Sequence, residues 1–240
     1  MTDAHTSPFV PHNVDTIDAG TMRKYRWLRQ RAFTMTWVAY AAYYLGRNNF
    51  AVAKRQIAES LSLSNAQLGA IDTGYLAAYA VGQFVSGLLG DRLGGRRLIG
   101  FGLIAVAIMN IVFGTGQHFL FFLAAWTCNG VAQSTGWPGC AKVFAEWFAR
   151  KERGTFMGFW GTAYQVGAVA STYVATVLLV TFGWQWAFFG PTLLLVGLAL
   201  LILTTLKDSP RRVGFPPVER YYECLKGRGD VDTAPSRGGT

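Results

Sequence analysis

Residues 40–50 read Tyr40-Ala-Ala-Tyr-Tyr-Leu-Gly-Arg47-Asn-Asn-Phe50, and they lie inside an apolar run that extends from residue 32 to residue 53. A run of this length can cross a bilayer as a helix. An arginine near the middle of such a helix costs about 2.5–3.5 kcal/mol on insertion scales, so it usually faces a protein interior or a water-filled cavity. The stretch therefore predicts a membrane helix with one charged position that faces inward.

Three tyrosines accompany this arginine. Tyr40, Tyr43 and Tyr44 precede Arg47 by seven, four and three residues, which places them on one helical face. A guanidinium beside phenol groups is a set of donors suited to an anion, phosphate above all. Two other interpretations stay open from the residues alone: Arg47 pairs with an acid such as Asp72, or it reaches toward the lipid headgroups.

The composition is that of a membrane protein. Hydrophobic residues make up 51% of the chain, aromatic residues 15% and charged residues 15%, and the mean hydropathy is +0.25. This excludes a disordered chain and is unusual for a soluble domain. The net charge of +9 comes from short clusters between apolar runs and not from one basic face, so we expect a lipid bilayer as partner and no nucleic acid.

Six apolar runs are each long enough to span a membrane, and they predict an all-α membrane protein with six transmembrane helices. The runs cover residues 32–53, 68–89, 98–116, 119–144, 155–182 and 184–206. Lysine and arginine cluster before the first run, between the second and third, between the fourth and fifth, and after the sixth. The positive-inside rule then places both termini in the cytoplasm. We expect a flexible cytoplasmic tail at 1–22, a half-bundle at 23–206, and a central connection with a polar tail at 207–240.

The second run carries a small residue at every fourth position. The residues of this stripe are Gly74, Ala78, Gly82, Ser86 and Gly90. Small side chains let helix backbones approach closely where lipid offers no hydrophobic driving force between helices. The stripe predicts close packing against a neighbouring helix.

The second run ends in Gly87-Leu-Leu-Gly-Asp91-Arg92-Leu-Gly94-Gly-Arg96-Arg97. This spacing resembles the loop signature of the major facilitator superfamily. The resemblance implies a conformational latch, formed by Asp91, Arg92, Arg96 and Arg97, that holds the helices closed toward the cytoplasm. At the C-terminal end of a helix a carboxylate is disfavoured unless cations hold it, so we expect the three arginines to hold Asp91.

Further motifs narrow the resemblance. They are Tyr43-Tyr44-x-x-Arg47-x-Asn49-Phe50, Gly136-Trp137-Pro138-Gly139, Glu146-Trp147-Phe148, Lys151-Glu152-Arg153-Gly154 and Asp208-Ser-Pro210. Together they resemble the organophosphate:phosphate antiporter family, which includes glycerol-phosphate and hexose-phosphate transporters and a hexose-phosphate sensor, over residues 25–223. The resemblance implies that Arg47 binds the substrate phosphate. It places the other pocket residues at Tyr40, Tyr43, Tyr79, Gln133, Trp137, Tyr164 and Gln165.

The resemblance implies the amino-terminal half of a transporter with two six-helix halves, this half being a 3+3 inverted repeat. Such a protein exchanges an organic phosphate ester for inorganic phosphate by alternating access in the bacterial inner membrane, and its half-bundle needs a second half, from a separate chain or a second copy. A sensor that binds hexose phosphate and signals to a kinase, or an inactive truncated fragment, are the alternatives. No nucleophile motif or metal-spaced cluster occurs, so we expect no enzyme activity, no cofactor and no metal.

The topology can be tested by labelling. We expect cysteines introduced at Gln117 and Gln185 to react with a membrane-impermeant thiol reagent outside intact cells, because their connections carry few basic residues. Cysteines in place of Gly95 and Lys151 are the cytoplasmic controls and should react only after permeabilisation. Labelling of either control in intact cells would contradict the assignment.

Overall fold

A computed structural model describes residues 19–222, and every regular element in that part of the chain is helical. The α-helices are α1 (Ala19–Tyr43), α2 (Asn49–Leu61), α3 (Asn65–Leu93), α4 (Gly95–Gly114), α5 (Phe119–Gln133), α6 (Gly136–Trp147), α7 (Arg153–Trp160), α8 (Thr162–Phe182) and α9 (Trp186–Thr205). Since α1 begins at Ala19, the last residues of the predicted N-terminal tail are helical. The rest of that tail and the polar tail after residue 222 lie outside the described residues.

Several of the predicted spans consist of two helices. The first is α1 and α2 joined by the 3-10 turn Tyr44–Gly46, and the fourth is α5 and α6 separated at Ser134 and Thr135. Pro138 lies in the first turn of α6, where its missing N–H is not needed. By length and composition, three stretches could each cross a membrane: Gly95–Gly114, Arg153–Phe182 and Trp186–Thr205. The count of six spans and the cytoplasmic termini remain predictions.

Two clusters of buried apolar side chains fill the bundle. One includes Tyr40, Ile99 and Trp147, and the other is centred on Phe113 and Trp126, whose rings are 4.9 Å apart. The chain passes from the first cluster to the second at the turn that follows α1. Arg47 lies at this passage, half-buried and away from both ends of the first span.

Most of the small-residue stripe of α3 faces α5 and the residues that join α5 to α6. A Cβ atom added at Gly74 would lie 2.6 Å from Thr127 Oγ1, and one added at Gly82 would lie 2.8 Å from Ser134 Cβ. Neither position has room for a side chain. The prediction of close packing is confirmed at these two glycines.

The segment after α9 folds back onto the end of the bundle where α6 ends and α4 begins. The indole N–H of Trp147 donates to the carbonyl oxygen of Lys207 (2.9 Å). Tyr221 stacks on Tyr25 with ring centroids 3.7 Å apart, and Phe215 meets Tyr25 edge-on at 5.9 Å. Residues 207–222 of the predicted connection are therefore packed against the half-bundle.

The packing of α3 predicts opposite effects for two glycines in the same helix. Gly82→Ala should lower the free energy of unfolding by about 1–3 kcal/mol, because its Cβ overpacks against Ser134. Gly87→Ala is the control: no atom lies within 4 Å of its added Cβ, and alanine favours the helix by up to about 1 kcal/mol. Thermal unfolding in detergent measures both, and equal melting temperatures would contradict the packing.

Candidate functional site

Arg47 follows the 3-10 turn directly, and its backbone is held by that turn. The N–H groups of Arg47 and Asn48 both donate to the carbonyl oxygen of Tyr44, at 3.1 and 3.0 Å. The guanidinium carbon lies 5.1 Å from the ring centre of Tyr79, 5.7 Å from that of Tyr44 and 5.8 Å from that of Tyr75. These are cation–π distances, and each such contact contributes about 0.5–2 kcal/mol. Tyrosine rings therefore stabilise Arg47 without cancelling its charge.

The acid considered as a partner for Arg47 is engaged elsewhere. Asp72 forms an ion pair with Lys54 of α2. The ion pairs within residues 19–222 do not include Arg47. The alternative in which Asp72 pairs with Arg47 is thus wrong, and the guanidinium keeps a net charge in the described part of the chain.

A small cavity lies beside Arg47 and unites most of the predicted site residues. Its lining consists of Tyr40, Tyr43, Tyr44, Arg47, Tyr79 and Gln133. The Tyr43 hydroxyl donates to Ile99 O (3.1 Å) and lies 2.9 Å from Thr135 Oγ1, so it is turned into the core. Gln133 donates through Nε2 to Tyr43 O (3.0 Å). Both side chains border the cavity while their polar groups hold the surrounding helices.

An aromatic wall continues from the cavity along α1. The ring of Tyr40 lies 5.9 Å from Trp137 and 5.1 Å from Tyr164, so the structure brings these two predicted site residues to the same place. Trp160, which the sequence motifs did not indicate, is closer still at 4.9 Å. Gln165 is exposed on α8 and is not among the residues that line the cavity.

Three further residues near Arg47 were missed in the sequence. Tyr75 precedes Tyr79 by one helical turn, and this spacing could have shown that both rings face Arg47. Asn110 and Asn129 are buried amides in apolar runs, and both donate to the carbonyl oxygen of Gly46. A polar residue inside a span is the signal that could have revealed them, since such residues usually face the bundle interior.

The predicted latch has different ionic partners from those expected. Asp91, in the last turn of α3, pairs with Lys142 of α6 and not with the three arginines. Arg92 and Arg97 are exposed. Arg96 contacts a different acid, Asp208, which lies in the segment after α9.

Asp208 caps the start of α4. Its Oδ1 accepts the backbone N–H of Arg96 (2.7 Å), and its Oδ2 lies 2.7 Å from Nη1 of Arg212 and 4.0 Å from Nε of Arg96. A carboxylate at a helix N-terminus is stabilised by the unsatisfied N–H groups and the dipole there. Gly94 makes the approach possible: its φ is +84°, and an added Cβ would lie 3.0 Å from Asp208 Oδ1.

This all-helical bundle, with an arginine inside its first span and a basic connection after α3, has the features of an integral membrane protein. A sequence model described as the Major Facilitator Superfamily matches residues 36–231, and the chain belongs to that superfamily. The bundle is one half of the superfamily fold. Within the superfamily the chain is similar to phosphate-ester transporters and a related sensor, as the motifs predicted.

Three curated relatives support this placement. The "Probable hexose phosphate transport protein" of Chlamydia pneumoniae is 32% identical over 83% of this chain and 44% of its own length. "Membrane sensor protein UhpC" of Salmonella typhimurium is 33% identical over 81% and 44% of the two chains. "Glycerol-3-phosphate transporter" of Bacillus subtilis is 33% identical over 88% and 48%. The chain thus spans less than half the length of these relatives.

The fold also matches a solved structure. A bacterial homolog of the human lysosomal transporter Spinster, in an inward-facing and occupied conformation, superposes with a TM-score of 0.70. The match covers 76% of this chain and 45% of that one at 18% sequence identity. At this identity the likeness supports the fold alone.

The two acids Asp91 and Asp208 should differ in their effect on stability. Asp208→Ala should lower the free energy of unfolding by about 1.5–3 kcal/mol, since hydrogen bonds to a buried charged group are lost. Asp91→Ala removes an exposed ion pair, which contributes about 0–1 kcal/mol. Thermal unfolding of both variants in detergent measures the difference. A larger loss for Asp91→Ala would contradict the capping role of Asp208.

Proposed function

We propose that this chain forms the amino-terminal half of a secondary transporter that exchanges organic phosphate esters for inorganic phosphate by alternating access. The observation that carries the proposal is Arg47. Its guanidinium is held inside the first span by three tyrosine rings, it borders a cavity, and no ion pair within residues 19–222 neutralises it. A charge kept in this way is suited to bind an anion.

The chemistry of the site favours phosphate. A guanidinium presents parallel N–H donors that match two oxygens of a phosphate group, and the interaction is stronger where water is excluded. In this proposal Arg47 binds the phosphate, while the hydroxyl groups of Tyr40 and Tyr79 donate to its remaining oxygens. The organic part of the substrate follows a path lined by Tyr43, Gln133, Trp137, Tyr164 and Gln165. The role is binding and conformational change, with no covalent step.

The site faces a second half in this proposal. Transporters of this fold bind substrate at the interface of two repeats related by pseudo-symmetry. The relatives are about twice as long as the matched region, which supports a second six-helix half as the partner. We place the assembled protein in the bacterial inner membrane, as a multi-pass protein with both termini in the cytoplasm. In the assembled protein the cytoplasmic latch consists of Asp91, Arg92, Arg96 and Arg97. Lys142 is the counter-ion of Asp91.

A sensor is the second candidate, and the similarity to the membrane sensor protein UhpC favours it. Both candidates bind a phosphate ester at Arg47, and they differ in the step that comes after binding. A transporter carries labelled phosphate across the membrane of vesicles loaded with unlabelled phosphate, whereas a sensor binds the ester without measurable exchange. Counterflow in vesicles therefore separates the two.

The role of Arg47 is tested by ligand-induced thermal stabilisation of the chain purified together with the second half. The probes are inorganic phosphate, glucose 6-phosphate and glycerol 3-phosphate. Arg47→Ala should weaken binding at least about 30-fold, because removing one partner of a buried charged contact costs about 2–5 kcal/mol. Arg47→Lys should retain part of the affinity, since an ammonium lacks the two-point fork.

Arg55→Ala is the matched control, because Arg55 lies in α2 of the same span and pairs with Glu59 on the surface. It should bind all three anions as wild type does. Equal stabilisation of wild type and Arg47→Ala would overturn the site assignment.

A further inference from the structure

The break in the first span frees backbone groups inside the bundle. Because the N–H of Arg47 donates to Tyr44 O, the carbonyl oxygen of Tyr43 loses its usual helical donor. The N–H of Phe50 donates to Asn49 Oδ1 (3.0 Å), and so the carbonyl oxygen of Gly46 loses its helical donor as well. Freed carbonyl groups at this depth need partners from the protein, since lipid offers none.

Amide side chains from two other helices supply those partners. Asn110 of α4 and Asn129 of α5 donate to Gly46 O at 3.2 and 3.0 Å, and Gln133 of α5 donates to Tyr43 O at 3.0 Å. All three side chains are buried. Asn110 also accepts a hydrogen bond from Asn49 through Oδ1, which ties the first turn of α2 to the same group. We call Asn110, Asn129 and Gln133 the carboxamide clamp.

The geometry of the turn leaves the clamp little freedom. A Cβ atom added at Gly46 would lie 2.9 Å from Asn110 Nδ2 and 3.4 Å from Gln133 Nε2, so the amides sit directly against the backbone of the turn. Asn129 and Gln133 are one helical turn apart on α5 and hold the two freed carbonyl groups from the same face. The turn is thereby fixed relative to α4 and α5.

We propose that the carboxamide clamp positions Arg47 for anion binding. Arg47 is the residue that follows Gly46, so fixing the Gly46 carbonyl fixes the direction in which the arginine side chain leaves the backbone. This direction aims the guanidinium at the rings of Tyr44, Tyr75 and Tyr79 and at the cavity. Asn110, Asn129 and Gln133 are positioning residues, and their role rests on the proposed function of Arg47.

Asn129→Leu is the most direct test. Within residues 19–222 the Asn129 side chain makes one hydrogen bond, the one to Gly46 O, and leucine of similar size cannot replace it. In the assembled protein we expect the dissociation constant for glucose 6-phosphate to rise at least tenfold. Ser86→Ala is the matched control, because it removes another buried interhelical hydrogen bond, to Ser134, that involves no group of the first span. It should change the dissociation constant less than twofold.

Repeating the Asn129→Leu measurement in the Arg47→Lys variant separates a positioning role from a general loss of structure. The ammonium of Arg47→Lys sits on a flexible stem and depends less on the direction of the backbone. We therefore expect Asn129→Leu to weaken binding less than threefold in the Arg47→Lys background. An equal fold-loss in both backgrounds, or no loss in either, would overturn the proposal. If Asn129→Leu yields no folded protein, Asn129→Ala is measured in its place.

A measurement that needs no ligand tests the clamp independently of the proposed function. A cysteine is introduced at Arg47 in a protein whose Cys128 and Cys224 are serine, and its alkylation rate is measured with and without Asn129→Leu. The clamp predicts at least a fivefold change in rate, with no change for Ser86→Ala. If wild type binds no phosphate probe, the proposed function fails, and this rate still decides the clamp: an unchanged rate overturns it and a changed rate supports it.

Discussion

A full positive charge has to be kept inside an apolar bundle without being neutralised, and the rest of the site depends on this constraint. An ion pair with Asp72 would lower the cost of burying Arg47 but would also occupy the group. Tyrosine rings have no net charge, and three of them lie within cation–π distance of the guanidinium. Their summed contribution, at about 0.5–2 kcal/mol each, is comparable to the insertion cost of about 2.5–3.5 kcal/mol. The arginine is stabilised and remains available.

The same region shows why the first span is not one continuous helix. At the break the backbone turns tightly at Gly46, whose lack of a side chain lets α4 and α5 approach. The polar groups freed by the turn are satisfied by amides from those helices, so a local interruption becomes a junction of three spans. The irregular backbone and the buried amides occur together because the amides donate to the freed carbonyl groups in a medium without water. The charged residue lies next to them, at the turn that they hold.

The sequence was sufficient for the helical class and for grouping several candidate site residues, because apolar run length and helical spacing are local properties. Arg47, Tyr40 and Tyr79 were predicted and do line one cavity. The ionic partners were not predictable in this way. Lys142 in the middle of α6 meets Asp91 near the end of α3, and Asp208 reaches Arg96 from 112 residues away. Such contacts depend on the relative placement of helices, to which residue spacing within one run gives no access.

The capping of α4 by Asp208 has a consequence for biosynthesis. The carboxylate is made 112 residues after the N–H group that it accepts. At translation rates of roughly 5–20 residues per second, the start of α4 therefore waits about 6–22 s without its cap while α5 to α9 are made. During that interval the N-terminal turn of α4 must rely on water or lipid headgroups. The half-bundle is complete only after the residues that follow α9 have been made, so its last contacts form late in synthesis.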